Sequence, residues 1–257
     1  MTRPTADQTR DAHGFAITDG FPETDAATML ELDFLMEGLG IGLAAMKENA
    51  ARAVAALATR RYFGGCVKGH RITILAGRGG NGEVALTAGR RLSDWGADVT
   101  TVLSHPADAM SAGMTAGLAI LGSLGRRVSE TPHEDPELII DGLIGYSLRG
   151  SPHGRVAALI GWANGSDAPT LAVDVPSGFD AQSGVALAPA IRADATVALG
   201  LPKLRLGAES QSHVVGDLYL GDISIPPEAW ERLTAPITAP FFGAEQVLRL
   251  RRLGEVI

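Results

Sequence analysis

One cysteine in 257 residues excludes an internal disulfide framework and any site built on several thiolates. Cys66 is therefore expected as a buried small hydrophobe or a bystander. The six histidines show no paired ligand spacing, which argues against a transition-metal centre. Cations are in the minority: 22 Lys and Arg face 29 Asp and Glu, a net charge of -7, so no broad basic surface awaits nucleic-acid phosphates. The small run Arg249, Arg251, Arg252 is expected at a solvated helix C-terminus. No apolar run reaches the roughly 18 to 20 residues of a membrane span, and the first fifteen residues lack a signal-peptide core. The expectation is a cytoplasmic protein with neither a membrane nor a nucleic-acid partner.

Glycine, by contrast, is plentiful, and its densest stretch is the most informative. The segment RITILAGRGGNGEVALTAGRRL, residues 71–92, reads as strand, glycine loop and helix. Ile72, Ile74 and Leu75 are strand-like, residues 77–82 are too glycine-dense for regular structure, and residues 85–92 suit a helix. Free amides at such a helix start hold anions or polar ligands.

Residues 1–24 are polar and aperiodic and are expected as a flexible or extended arm; residues 25–257 are expected as one domain. Met29, Leu32, Leu35, Met36 and Leu39 have helical spacing, as do Leu43, Met46, Ala50, Ala53, Val54 and Leu57 in the next stretch. Beyond the loop, strands are expected at residues 99–103, 138–140, 171–173 and 195–199, a helix at 110–124, and one or two last strands within 213–225. Short apolar strands alternating with helices predict an α/β fold, a Rossmann-like three-layer sandwich with a largely parallel central sheet. The ligand crevice of such a sheet lies at the carboxyl ends of its strands. The glycine loop, Asp141, Asp174 and Lys203 all fall at such ends, so wide separation in sequence is compatible with convergence.

Gly77-Arg-Gly-Gly-Asn-Gly82 satisfies G-x-G-x-x-G after a strand. An ordinary NAD site also has an acid at the end of the second strand, where this chain has Leu103, Ser104 and His105. Asp98 precedes that strand and is wrongly placed. Ser177 has no histidine at triad spacing and no G-x-S-x-G elbow, which excludes a serine hydrolase. Asn81, Asp141 and an oxygen near Ser177 are hard ligands, suited to a cation that does not require soft coordination. Asp141 also fits a simple strand-end turn, and Lys203 a solvated charge.

In combination these segments resemble the NAD(P)H-hydrate epimerase family, the YjeF N-terminal domain family, over residues 31–227. Glu48-Asn-Ala-Ala-Arg52 is similar to its M-E-N-A-G-R-A helix, and residues 78–92 to its P-G-N-N-G-G-D-G-L-V-A-A-R-H-L loop and helix. Asp141-Gly-Leu-Ile-Gly145 is similar to D-A-[IL]-[FL]-G, and Asp174-Val-Pro-Ser-Gly-Phe-Asp180 to D-[IV]-P-S-G-[WLF]-D. Leu201-Pro202-Lys203 stands at [TA]-x-P-K, and Asp222-Ile-Ser-Ile-Pro226 resembles D-I-G-I-P.

The resemblance implies a Rossmann-like enzyme, usually a homodimer, that interconverts the R and S epimers of hydrated NADH and NADPH (NADHX and NADPHX) in cofactor repair. It implies a potassium ion held by Asn81, Asp141 and Ser177. Substrate contacts would come from Gly80, Asn81, Gly82, Glu83 and Val84, from Gly145, Tyr146, Ser147, Leu148, Arg149, Gly150 and Ser151, and from Asp174. Asp174 would handle the proton of the departing and returning water, with Lys203 as a second proton-transfer group or phosphate contact. A functional link to an NAD(P)HX dehydratase on a separate polypeptide is expected, because the sequence stops near the end of the matching region.

The chain departs from the family pattern in the glycine loop and just before Glu48. Lys47 replaces the usual Met, Gly80 the first Asn, Glu83 the second Gly and Val84 the Asp. The altered loop leaves two readings, an active epimerase and a divergent relative that acts as a nucleotide-binding or regulatory partner.

Overall fold

The apolar runs singled out above become the strands of one sheet. In a computed structural model, which describes residues 9–19, 22–238 and 242–252, the sheet comprises β1 (Ile17–Asp19), β2 (Arg71–Ala76), β3 (Asp98–Leu103), β4 (Val128–Ser129), β5 (Leu138–Gly142), β6 (Thr170–Val173), β9 (Ala195–Leu199), β10 (Asp217–Gly221) and β11 (Val247–Arg251). A separate hairpin pairs β7 (Phe179–Asp180) with β8 (Val185–Ala186). The sheet order is β1-β11-β10-β9-β6-β5-β2-β3-β4, and among the described residues of this sheet only the β10–β11 pairing is antiparallel.

Helices cover both faces: α1 (Ala26–Gly38), α2 (Leu43–Phe63), α3 (Gly80–Asp94), α4 (Ala112–Ser123), α5 (Gly154–Gly165), α6 (Ser212–Val215) and α7 (Pro227–Glu231). Strand side chains alternate between the two layers. Ile72, Ile74, Leu138 and Ile140 join α1 to α4 in one core, whereas Leu75 and Ile139 meet Val156, Leu159 and Ile160 of α5 in another. Burial on both faces explains why the central strands read as continuous apolar runs rather than alternating ones. The three-layer α/β expectation is met. No helix among the described residues is long and apolar enough to cross a membrane.

Several local expectations are corrected. Residues 1–8 and 20–21 of the expected arm lie outside the described residues, but the described remainder is integrated into the fold. Phe15 and Ala16 are buried, β1 pairs with β11, and Thr24 exchanges main-chain bonds of 2.8 and 2.9 Å with Pro202 and Leu204. The apolar stretch Phe15-Ala-Ile17 gives this segment an anchor that its polar surroundings conceal. The stretch 77–82 is not wholly irregular, because α3 begins at Gly80. Arg249 and Arg251 belong to strand β11, where Arg249 is buried and bound to Asp217 at 2.8 Å. Residues 213–225 supply one strand, within the expectation of one or two, preceded by the short α6. Cys66 is exposed.

Candidate active site

The strand order reverses direction between β5 and β2, and the candidate residues gather there and along the adjoining carboxyl ends. The glycine pattern serves close approach. A Cβ on Gly82 would stand 2.0 Å from the Gly77 carbonyl oxygen, and one on Gly145 would stand 2.4 Å from Oδ1 of Asn81. The first turn of α3 is thereby pressed against both its own loop and the segment after β5. Gly79, the N-cap, provides no side-chain acceptor. The first amides of α3 therefore have no capping side chain, as a ligand-binding helix start requires.

Asp141 is fully buried within β5. Its Oδ2 accepts the Ser177 amide at 2.8 Å, and its Oδ1 accepts the Ser177 hydroxyl at 2.6 Å and the Leu143 amide at 3.1 Å. Ser177 Oγ in turn accepts the Ile144 amide at 2.8 Å. Burial pushes the Asp141 carboxyl up to about 6, with the Ser177 and Leu143 donors acting in the opposite direction. No cationic side chain pairs with Asp141 among the described residues. Asn81 donates from Nδ2 to the Val173 carbonyl at 2.7 Å, which leaves its Oδ1 as an acceptor beside Gly145. Asp141 and Ser177 are thus bonded directly, and Asn81 adjoins the Gly142 and Gly145 segment that follows Asp141.

Asp174 follows β6 with φ of 68°, a left-handed conformation that Asp tolerates better than most residues. Its Oδ1 accepts the Leu199 amide at 3.0 Å and the Lys203 ammonium. Oδ2 has no hydrogen bond among the described residues. Lys203 is fully buried rather than solvated, and its remaining donors reach the carbonyls of Leu199 and Leu201 at 3.0 and 3.2 Å. With three acceptors around three ammonium hydrogens, Lys203 fixes Asp174 and has no donor left for a phosphate. Thr24 and Glu23 brace this loop, the latter by accepting the Arg205 amide at 2.8 Å.

Tyr146 and Asp33 lie beside that pair. The Lys203 ammonium lies 5.8 Å from the centroid of the Tyr146 ring. Burial and then the neighbouring Asp33 and Asp174 charges push the Tyr146 phenol up to about 12. Burial also raises the Asp33 carboxyl, against the pull of Lys203 and Lys47. Asp33 was not among the sequence candidates. Its signal is its place on α1, four residues after buried Met29 and three before buried Met36, where an apolar residue belongs.

The remaining candidates separate. Glu83 is engaged rather than free: its carboxylate meets Lys47 Nζ at 2.5 Å and accepts the Ser111 hydroxyl at 2.7 Å. Ser111 also caps α4 by accepting the Met114 amide at 3.1 Å. Two departures from the family pattern, Lys47 and Glu83, are therefore partners. Val84 is 4% exposed and packs in the core, so its side chain is not a ligand contact. Gly80 is exposed beside Lys47. Ser147, Arg149, Gly150 and Ser151 lie exposed, and Leu148 half-buried, on the loop leading to α5.

The model of the YjeF-related protein N-terminus matches residues 43–205. The chain is 39% identical over 225 residues to the NAD(P)H-hydrate epimerase of Dehalogenimonas lykanthroporepellens, covering 86% of this chain and 88% of that protein. It is 30% identical over 230 residues to the bifunctional NAD(P)H-hydrate repair enzyme of Salinibacter ruber, covering 82% of this chain but 42% of that longer protein. The crystal structure of yeast ynu0 superposes with a TM-score of 0.73 at 21% identity, covering 89% of this chain and all of that one, which shows a shared fold. With the family model spanning more than half of the sequence, the chain belongs to the family of the YjeF-related protein N-terminus.

Proposed function

We propose that this protein interconverts the R and S epimers of hydrated NADH and NADPH. The observation that carries the reading is the buried Asp174–Lys203 pair, which immobilises one carboxylate oxygen and leaves the other uncommitted at the carboxyl edge of the sheet. The names of the Dehalogenimonas and Salinibacter relatives support the substrate class.

The carbon that epimerises carries a hydroxyl next to the ring nitrogen. Asp174 first takes up a proton from solvent on the uncommitted Oδ2. The nitrogen lone pair forms a C=N bond as the C–O bond breaks, and the hydroxyl takes that proton and leaves as water. Asp174 then faces a planar cation as a carboxylate, which favours that intermediate. Water adds to either face and gives its proton to Asp174, which releases it to solvent, so the enzyme ends as it began. Lys203 positions the carboxyl throughout. The free amides at the start of α3 suit the pyrophosphate, and the Lys47–Glu83 pairing removes the charge conflict that an unpaired Glu83 would create there.

Potassium fits the oxygen cluster. Asn81 Oδ1, the Asp141 carboxylate and Ser177 Oγ would hold it, and its charge would offset that of buried Asp141. A bound ion would supply a fixed positive potential beside the substrate. The same reading includes a homodimer, cytoplasmic residence and a functional link to a dehydratase, the last supported by the bifunctional relatives.

Incubating the purified protein with the R epimer and separating products chromatographically is expected to show accelerated formation of the S epimer, faster in potassium than in tetramethylammonium chloride. A rate equal to the spontaneous one would refute the proposal. The cation has its own test. Asp141 titrates near 6 when folded, against an ordinary value of 3.8, so ionising it costs stability progressively between about pH 4 and 6. The loss is on the order of 3 kcal/mol once complete. Potassium is therefore expected to raise the unfolding midpoint by roughly 3–6 °C at pH 8 but little at pH 5, if it recovers about half of that loss. The pH-dependent difference should vanish in Asp141→Asn. Equal potassium effects at both pH values would remove Asp141 from the site.

A further inference from the structure

The carboxyl ends of β2 and β3 lie side by side, and the residues that follow them are Arg78, Ser104 and His105, with no acid where an NAD site has one. In a βαβ dinucleotide site the adenosine ribose lies at the carboxyl end of the second strand. An Asp or Glu there binds the two ribose hydroxyls, whereas a nearby arginine receives a 2′-phosphate. Here that strand is β3, and Ser104 and His105 follow it.

Each residue at this end is held in place by its neighbours. Ser104 is 3% exposed, and its amide donates to the Ala76 carbonyl at 3.0 Å, which joins the loop to the end of β2. Its Oγ lies 2.8 Å from His105 Nδ1. With the hydroxyl as donor, His105 carries its proton on Nε2 and is a hydrogen-bond donor there. Arg78 has its carbonyl fixed by the Ser111 amide at 3.0 Å. Its exposed guanidinium makes no hydrogen bond or ion pair among the described residues. Arg155 at the same edge differs, because it is committed to the carbonyls of Leu103 and Glu130 at 2.8 and 2.6 Å. His153 is the N-cap of α5. The Ser104–Ala76 and Arg155–Leu103 bonds bring the segments that carry Arg78, His105 and His153 to the same end of β3, and burial, followed by Arg78 and His153, lowers the His105 pKa. The nearby acids Asp108 and Glu130 form no ion pair with them among the described residues.

We propose that Arg78 and His105, with His153 behind them, form a phosphomonoester subsite that receives the adenosine 2′-phosphate and selects NADPHX over NADHX. This rests on the epimerase reading of the same crevice. It gives an affirmative role to the absence of an acid after β3. The arginine offers a planar fork for a dianion, and the histidine adds a donor whose orientation Ser104 sets.

The decisive experiment has two arms. In the first, kcat/KM is measured for NADPHX and NADHX with the wild type, Arg78→Ala and His105→Gln. The wild type is expected to favour NADPHX, and the ratio of the two constants to fall about tenfold in Arg78→Ala, chiefly through KM, as loss of a charge-assisted hydrogen bond implies. In the second arm, calorimetry compares adenosine 2′,5′-bisphosphate with 5′-AMP. The bisphosphate is expected to bind more tightly to the wild type, and Arg78→Ala to lose that advantage. Equal affinities for the two nucleotides, or a substitution that weakens both equally, overturns the subsite. Failure to turn over either hydrate refutes the epimerase reading instead, and the nucleotide comparison then decides the subsite by itself.

Discussion

Lys203→Met is expected to cost roughly 3–5 kcal/mol of folding stability, the usual loss when one partner of a buried ion pair is removed. Asp174 would be stranded as a buried carboxylate, 2% exposed, with only the Leu199 amide remaining on Oδ1. The Leu199 and Leu201 carbonyls would lose their ammonium donor as well. For a chain of this size the unfolding midpoint should fall by roughly 6–20 °C. Thermal unfolding followed by circular dichroism measures it. Adding Asp174→Asn to Lys203→Met should recover part of the loss, because no unpaired charge then stays buried. A midpoint within about 2 °C of wild type for the single variant would mean that the pair is not formed in solution.

Asp174→Asn is expected to lower kcat for epimerisation by about 10²–10⁴, the range associated with a positioned acid/base group. Asparagine suits this test for two structural reasons. It accepts the left-handed backbone at φ of 68°, and its amide oxygen still receives Lys203 and the Leu199 amide. The variant keeps these hydrogen bonds but leaves the buried Lys203 ammonium without its countercharge, so near-ultraviolet circular dichroism establishes that it is folded before rates are compared; its amide can neither give nor recover the proton. Initial rates on a purified R epimer at saturating potassium provide the measurement. A kcat within threefold of wild type would transfer the proton chemistry elsewhere, with Tyr146 and Asp33 as the adjacent groups to examine.

The sequence made the central sheet legible because its strands are buried on both faces and so read as unbroken aliphatic runs. It also marked Asp141, Asp174 and Lys203, since strand ends can be located even when their partners cannot. What stayed hidden depended on contacts distant in sequence. Asp33 lies in a helix whose other inward residues are apolar, and only the packing of α1 against the Lys203 loop gives its carboxyl a role. Thr24 stood in a polar stretch, yet its main chain braces Lys203, 179 positions further along the chain. The run Val247-Leu-Arg-Leu-Arg251 has the period of a strand, but its three nearby arginines suggested a helix end. The helix α5 has Val156, Leu159, Ile160 and Ala163 at helical spacing, a pattern obscured by glycines at both of its ends.

The Lys47–Glu83 pair also makes its two members unequal in what a single change costs. Glu83 is 13% exposed and Lys47 32% exposed, measured on their side chains. A lysine opposite glycine keeps access to water, so Glu83→Gly alone leaves no enclosed charge. A glutamate opposite methionine would be a largely enclosed anion supported by the Ser111 hydroxyl alone, so Lys47→Met is the costlier change of the two. The glutamate also fills the space above Gly113, where a Cβ would stand 2.3 Å from its carboxylate, so keeping Glu83 in place ties position 113 to glycine.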